Sequence, residues 1–180
     1  MSVLFAAFGA AALVLVAHSE GFERACLLVA AALLIQLRLL ANLMDGMVAV
    51  ENERRQPTGE FFNELPDRLS DSLFIVAAGY ATVWGWPAEL AWAAAVLALL
   101  TEYVRALGGS FGLRQSFAGV IGKPQRMAIL TAACIASLLE LALGYRGYAF
   151  VAALVVIAAG SLHTIWLRAA DVLSGLRQRG

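Results

Sequence analysis

NLMDGMVAVENERRQPTGEFFNELPDRLSD, residues Asn42 to Asp71, interrupts a chain made mostly of Ala, Leu, Val and Ile. These thirty residues hold seven of the thirteen acids: Asp45, Glu51, Glu53, Glu60, Glu64, Asp67 and Asp71. Outward from this island the chain is oily. Of its 180 residues 61% are hydrophobic and 14% charged, against about 45–50% and about 25% in a soluble domain. Long charge-free runs therefore predict an integral membrane protein.

A spanning helix needs about 20 mostly apolar residues, and in lipid only helices or closed barrels satisfy the backbone. No run alternates with the period of two that a barrel strand requires. The fold class is thus all-α: a polytopic bundle of six transmembrane helices at 3–17, 25–44, 69–84, 87–107, 127–143 and 148–167, in one domain covering residues 1–180. The first apolar run lacks a positive leader and a small-residue cleavage site, so it reads as a retained helix. Pro87 suits a helix start, where a missing N–H costs nothing, and Gly144 and Gly147 flank a tight turn. Cys26 and Cys134 sit in apolar runs and read as small hydrophobes, with no zinc or disulfide pattern. A formal net charge of zero argues against a nucleic-acid partner.

Basic residues orient the bundle. Connections after even-numbered spans carry nine (Arg54, Arg55, Arg68, Arg114, Lys123, Arg126, Arg168, Arg177 and Arg179). The other side has Arg24 and Arg146. The positive-inside rule then places both termini and the acidic island in the cytoplasm, in what reads as a bacterial inner membrane.

Within the island the spacing is helical. Asn42 and Asp45 are three apart and share a face as span two ends. Asn63, Asp67 and Asp71 recur every four residues as span three begins, with Pro66 predicted in the first turn of that helix. The stretch between is long enough for one more short helix and a return. Carboxylates brought together repel unless cations lie between them, and oxygen donors without local His or Cys suit hard Mg²⁺, Mn²⁺ or Ca²⁺ better than zinc. Mg²⁺ typically takes one or two carboxylates plus substrate phosphates, which points to a phosphorylated substrate. Gly46 and Gly59 would let that substrate approach the backbone closely. The alternative is a solvated loop with helix-capping acids.

The pattern resembles the signature of the CDP-alcohol phosphotransferases, D-x-x-D-G-x-x-A-R-x8-G-x-x-x-D-x-x-x-D. Asp45, Gly46, Ala49, Gly59 and Asp67 match in register, five of eight fixed positions. Asn42 and Asn63 stand where the family has aspartates, and Val50 where it has arginine. "TEYVR" at the end of span four and "GKPQR" before span five continue the resemblance weakly.

The resemblance implies a metal-dependent membrane transferase of phospholipid synthesis. An alcohol oxygen would attack the lipid-side phosphorus of a CDP-lipid such as CDP-diacylglycerol, and CMP would leave. It also implies Mg²⁺ or Mn²⁺, one or two ions, on Asp45 and Asp67 with Asn42, Asn63 and Asp71 completing the ligands, and Asp67 as the base. The two Asn substitutions leave three outcomes: one metal instead of two, lost charge restored by Asp71 with Glu51 or Glu60, or an inactive site. Arg38, four residues before Asn42, is a candidate stand-in for the missing arginine and so a substrate contact. A charge inside a span costs roughly 2.5–3.5 kcal/mol on insertion scales, so it needs a partner or a task; pairing with Asp45 or snorkelling toward the headgroups is the simpler reading.

Elsewhere, Glu102 and Arg105 are expected to pair, or Arg105 joins Lys123 and Arg126 on an acceptor phosphate. His163 reads as a hydrogen-bonded core residue, Glu140 as snorkelling, and Trp84, Trp86 and Trp166 as an interfacial belt. Small residues permit a homodimer. Two rivals remain: a catalytically silent relative that binds CDP-lipid or partners an active synthase, and a small transporter. Transport sites usually lie near the midplane, whereas these charges gather at one face.

Overall fold

Among the described residues, four helices are long and apolar enough to cross a membrane by length and composition. In each, only 22–33% of the most apolar stretch is buried within the molecule. Most of that apolar surface therefore faces outward, as a lipid-facing bundle requires. The computed structural model describes the backbone of residues 2–51 and 57–179 and the side chains of residues 3–44 and 64–179. Its described residues form α1 (Ser2–Val16), α2 (Gly21–Glu51), α3 (Pro57–Tyr80), α4 (Trp86–Ser110), α5 (Lys123–Leu143) and α6 (Tyr148–Arg177). The expected all-helical membrane bundle is borne out.

The helices pack α1 on α2 and α3, α3 on α4, α4 on α6, and α5 between α2 and α6. Leu13, Leu28, Ile35, Phe74, Leu130, Phe150 and Leu154 are fully buried at the centre. Small residues set the spacing. A Cβ on Gly79 would lie 2.5 Å from Ala91 Cβ and 2.7 Å from the Pro87 carbonyl, so α3 and α4 approach to backbone contact there.

Two expectations about the island need correction. No extra short helix separates spans two and three among the described residues: α2 runs on to Glu51 and α3 already begins at Pro57. Pro66 accordingly lies inside α3. Hydropathy sees only the apolar part of a helix, whereas the backbone continues through polar turns. At about 1.5 Å per residue, the 31 residues of α2 and 30 of α6 exceed the roughly 30 Å hydrocarbon core. The polar turns of α2, α3 and α6 project together at one end, with the C-terminal end of α4 and the N-terminal end of α5.

Two single residues also differ. Glu140 does not snorkel: its carboxylate accepts from the Gly147 and Ala149 N–H groups at 2.9 and 2.5 Å. It caps α6, where a negative charge meets the helix dipole. His163 is exposed, not a core residue, and stacks on Trp166 with centroids 6.4 Å apart. Trp84 meets Tyr148 edge-on at the opposite end of the bundle. Cys134 is buried and Cys26 exposed.

Overpacking a tight contact typically costs about 1–3 kcal/mol. Gly79→Val is expected to lower the thermal unfolding midpoint in detergent, whereas Gly85→Val, in open space beside α4, should leave it near the parent value.

Candidate functional site

At the end where the polar turns gather, α2 presents Arg38 and Asn42 and α3 presents Asp67 and Asp71, each pair one helical turn apart. The two faces meet. Asn42 Nδ2 donates to Asp67 Oδ1 at 2.6 Å. Arg38 Nη2 donates to the Asp67 carbonyl at 2.8 Å and to Oδ1 at 3.3 Å. The Lys123 ammonium of α5 donates to Asp67 Oδ2. Asp67 is thus gripped from two helices yet stays part-exposed and lines a cavity of about 340 Å³.

One turn deeper, Asp71 closes the arrangement. Its Oδ1 lies 2.8 Å from Arg38 Nη1, a charge contact too poorly angled to be a hydrogen bond, and its Oδ2 accepts from Arg126 Nη2 at 3.2 Å. Arg38, Arg126 and Asp71 are buried at 0%, 1% and 3% exposure. Burying a lone charge is costly, and it is tolerated when the charges neutralise one another. This corrects three expectations. Asp71 is a buried counter-ion instead of a ligand facing the cavity. Arg38 and Arg126 are buried and do not line this cavity; both contact the carboxylates.

A second cluster forms the other wall. The Glu102 carboxylate of α4 is approached by Arg105 Nε at 3.0 Å, Arg68 at 3.5 Å, Arg168 at 3.6 Å and Arg126 at 3.7 Å. The expected Glu102–Arg105 pair is present. Glu64 also pairs with Arg68 and with Arg105. Arg168 reaches from α6 to donate to the Thr101 and Ala118 carbonyls at 2.7 and 3.0 Å. Arg105, Lys123, Arg68 and Arg168 all line the cavity. Sequence reasoning missed Arg68 and Arg168 as site residues, counting them only for orientation. The available signal was Arg168 itself, a charge directly after the long apolar run of α6.

Six cations stand against four carboxylates among the described residues of the two clusters. Of these, Arg68, Arg105, Lys123 and Arg168 line the cavity with Glu64, Asp67 and Glu102, and that excess of one positive charge favours an anion. Asp45, Gly46 and Ala49 fall in the last turns of α2, and Gly59 and Asn63 in the first turns of α3; their side chains, with those of Glu51 and Glu60, lie outside the described residues. Among the described residues no three His, Cys, Asp or Glu side chains group as a metal site. Three carboxylates line the cavity among the described residues, Glu64, Asp67 and Glu102; Glu64 and Glu102 are taken up by arginines of the second cluster, and Asp67 has the Asn42 amide beside it. That donor set fits a hard cation that keeps water or substrate oxygens as its remaining ligands.

A bundle of helices with a charged cavity at one membrane face is the class of protein that fold and site define. The fold is similar to that of a solved phosphatidylinositol phosphate synthase. The structure of the Mycobacterium tuberculosis synthase with CDP-DAG bound superposes with a TM-score of 0.68 at 20% identity, over 96% of this chain and 86% of that one. The same enzyme in complex with manganese and citrate gives 0.70 at 21% identity, over 96% and 82%. In sequence the chain is 34% identical over 115 residues to the archaetidylinositol phosphate synthase of Aeropyrum pernix, a stretch covering 63% of this chain and 57% of that enzyme. No family model matches. The resemblance to the CDP-alcohol phosphotransferases is nonetheless borne out, by a sequence relative and by the fold.

Removing one partner of a buried ion pair typically costs about 3–5 kcal/mol. Arg38→Ala is therefore expected to depress the unfolding midpoint strongly, while Arg114→Ala, on the exposed surface, should shift it negligibly. Thermal unfolding of both variants in one detergent checks this.

Proposed function

We propose that this chain transfers a phosphatidyl-type group from a CDP-lipid to an alcohol that itself carries a phosphate, releasing CMP. The observation that carries the proposal is Asp67. Arg38 and Asn42 hold this carboxylate at the rim of a cavity whose opposite wall is basic.

In this reading Asp67 accepts the proton of the acceptor hydroxyl. The freed oxygen pair attacks the lipid-side phosphorus, and the bond from that phosphorus to the CMP oxygen breaks. Mg²⁺ or Mn²⁺, one or two ions, would be held by Asp45 and Asp67 with the Asn42 and Asn63 oxygens, and would neutralise charge on the diphosphate. Lys123, Arg105, Arg68 and Arg168 bind and orient the acceptor phosphate; cations fixed in place beforehand stabilise charge on phosphoryl oxygens. Gly46, Ala49 and Gly59 would leave room for the nucleotide end. The surplus of basic residues at this end supports a cytoplasmic site with both termini inside, in a bacterial inner membrane. A homodimer, with membrane lipids around it, completes the reading.

The purified protein with CDP-diacylglycerol and Mn²⁺ or Mg²⁺ should release CMP only when a phosphorylated alcohol is supplied. Asp67→Asn should cut that release by about 10²-fold or more, the usual scale for a lost general base. Lys123→Ala should chiefly raise the KM for the acceptor. A silent relative would release no CMP under any of these conditions.

A further inference from the structure

The connection between α4 and α5, residues 111–122, lies antiparallel along a single stripe of α6. Arg179 donates to the Phe111 and Gly112 carbonyls at 3.0 and 2.8 Å. A Cβ on Gly175 would crowd Leu113 at 3.1 Å. Ser116 Oγ donates to Asp171 Oδ2 at 2.6 Å, and Arg168 donates to the Ala118 carbonyl. Gly119, at φ +119°, presses on Thr164, and Ile121 on Gly160. Positions 160, 164, 168, 171, 175 and 179 recur every three or four residues, which is one face of a helix.

This strap ends in an unusual presentation. While donating to Asp171, Ser116 Oγ accepts from the Ala118 N–H at 3.2 Å. The short turn so formed projects Phe117, 72% exposed, onto the Arg105 guanidinium, whose carbon lies 5.4 Å from the ring centroid. The ring lines the same cavity as Arg68, Lys123 and Arg168. An aromatic this exposed contributes little to the core, yet its two neighbours are tied to α6, Ser116 through its hydroxyl and Ala118 through its carbonyl.

We infer that Phe117 is a specificity-determining residue of the acceptor pocket, and that Asp171 and Ser116 are its positioning residues. The inference deepens the proposed function and rests on it. The ring covers one face of Arg105, leaving the guanidinium edge to pair with anions. Its own free face receives the carbon skeleton of the acceptor, beside the cations that take the phosphate. Asp171 and Ser116 act only through the turn.

The test compares the parent with Phe117→Ala, Phe117→Tyr, Ser116→Ala, Ser116→Thr and Asp171→Asn, all as full chains in detergent. Glycerol 3-phosphate and inositol 1-phosphate serve as acceptors, and calorimetric binding of each is measured beside turnover. Phe117→Ala should weaken acceptor binding and raise its KM by about tenfold, the size of one lost contact, with the KM for CDP-diacylglycerol unchanged. Phe117→Tyr and Ser116→Thr should stay near the parent; Ser116→Ala and Asp171→Asn should follow Phe117→Ala in acceptor KM with unfolding midpoints near the parent's. Unchanged acceptor binding in a folded, active Phe117→Ala overturns the inference alone. Acceptor binding without CMP release, still sensitive to Phe117, overturns the proposed function and keeps the pocket. A parent that neither binds nor consumes these acceptors overturns both.

Discussion

The arrangement depends on one buried guanidinium. Arg38 sits at zero exposure in α2 and reaches both Asp67 and Asp71 of α3. In a low-dielectric bundle it cannot be left alone, and neither can Asp71. Their mutual neutralisation is therefore a constraint on how α2 and α3 register against each other, more than a source of net stability. Arg126 extends the constraint by joining Asp71 to Thr101 and the neighbourhood of Glu102. Four helices are thus tied by charge at the end where the polar turns emerge.

The tie divides labour between residues of the same chemical type. Asp67 and Asp71 are one turn apart, but the outer carboxylate borders the cavity and the inner one is used up on arginines. The same division separates Arg38 and Arg126, which hold carboxylates, from Arg68, Arg105 and Arg168, which border open space. Glu102 keeps those three close to one another despite their repulsion. The resulting concentration of cations beside the Asp67 carboxylate suits a reaction that moves phosphoryl charge and one proton.

Much of this was legible in the residues. Hydropathy located the helices, because lipid demands continuous apolar backbone-satisfied segments. The spacing of Asn42, Asp67 and Asp71 correctly put Asn42 and Asp67 on facing surfaces. Periodicity along one helix, however, does not say which neighbour a side chain meets. Arg38 was read toward substrate or Asp45, and the structure turns it to Asp67 and Asp71. Arg168 joins Glu102 only because α6 packs on α4, a contact no local pattern encodes. The order of the strap of residues 111–122 likewise comes from α6, some fifty residues later, and no local pattern encodes it.

The claim beneath the account is that Asp67 is aimed, by buried partners, at a place where a divalent ion and a diphosphate meet. Manganese binding followed by electron paramagnetic resonance, on purified parent and on Asp67→Asn, measures this without any turnover. The account predicts that the parent captures the ion, that CDP-diacylglycerol tightens the capture, and that Asp67→Asn loses both effects while remaining folded. Manganese binding indifferent to Asp67, or unaffected by the lipid, would contradict it.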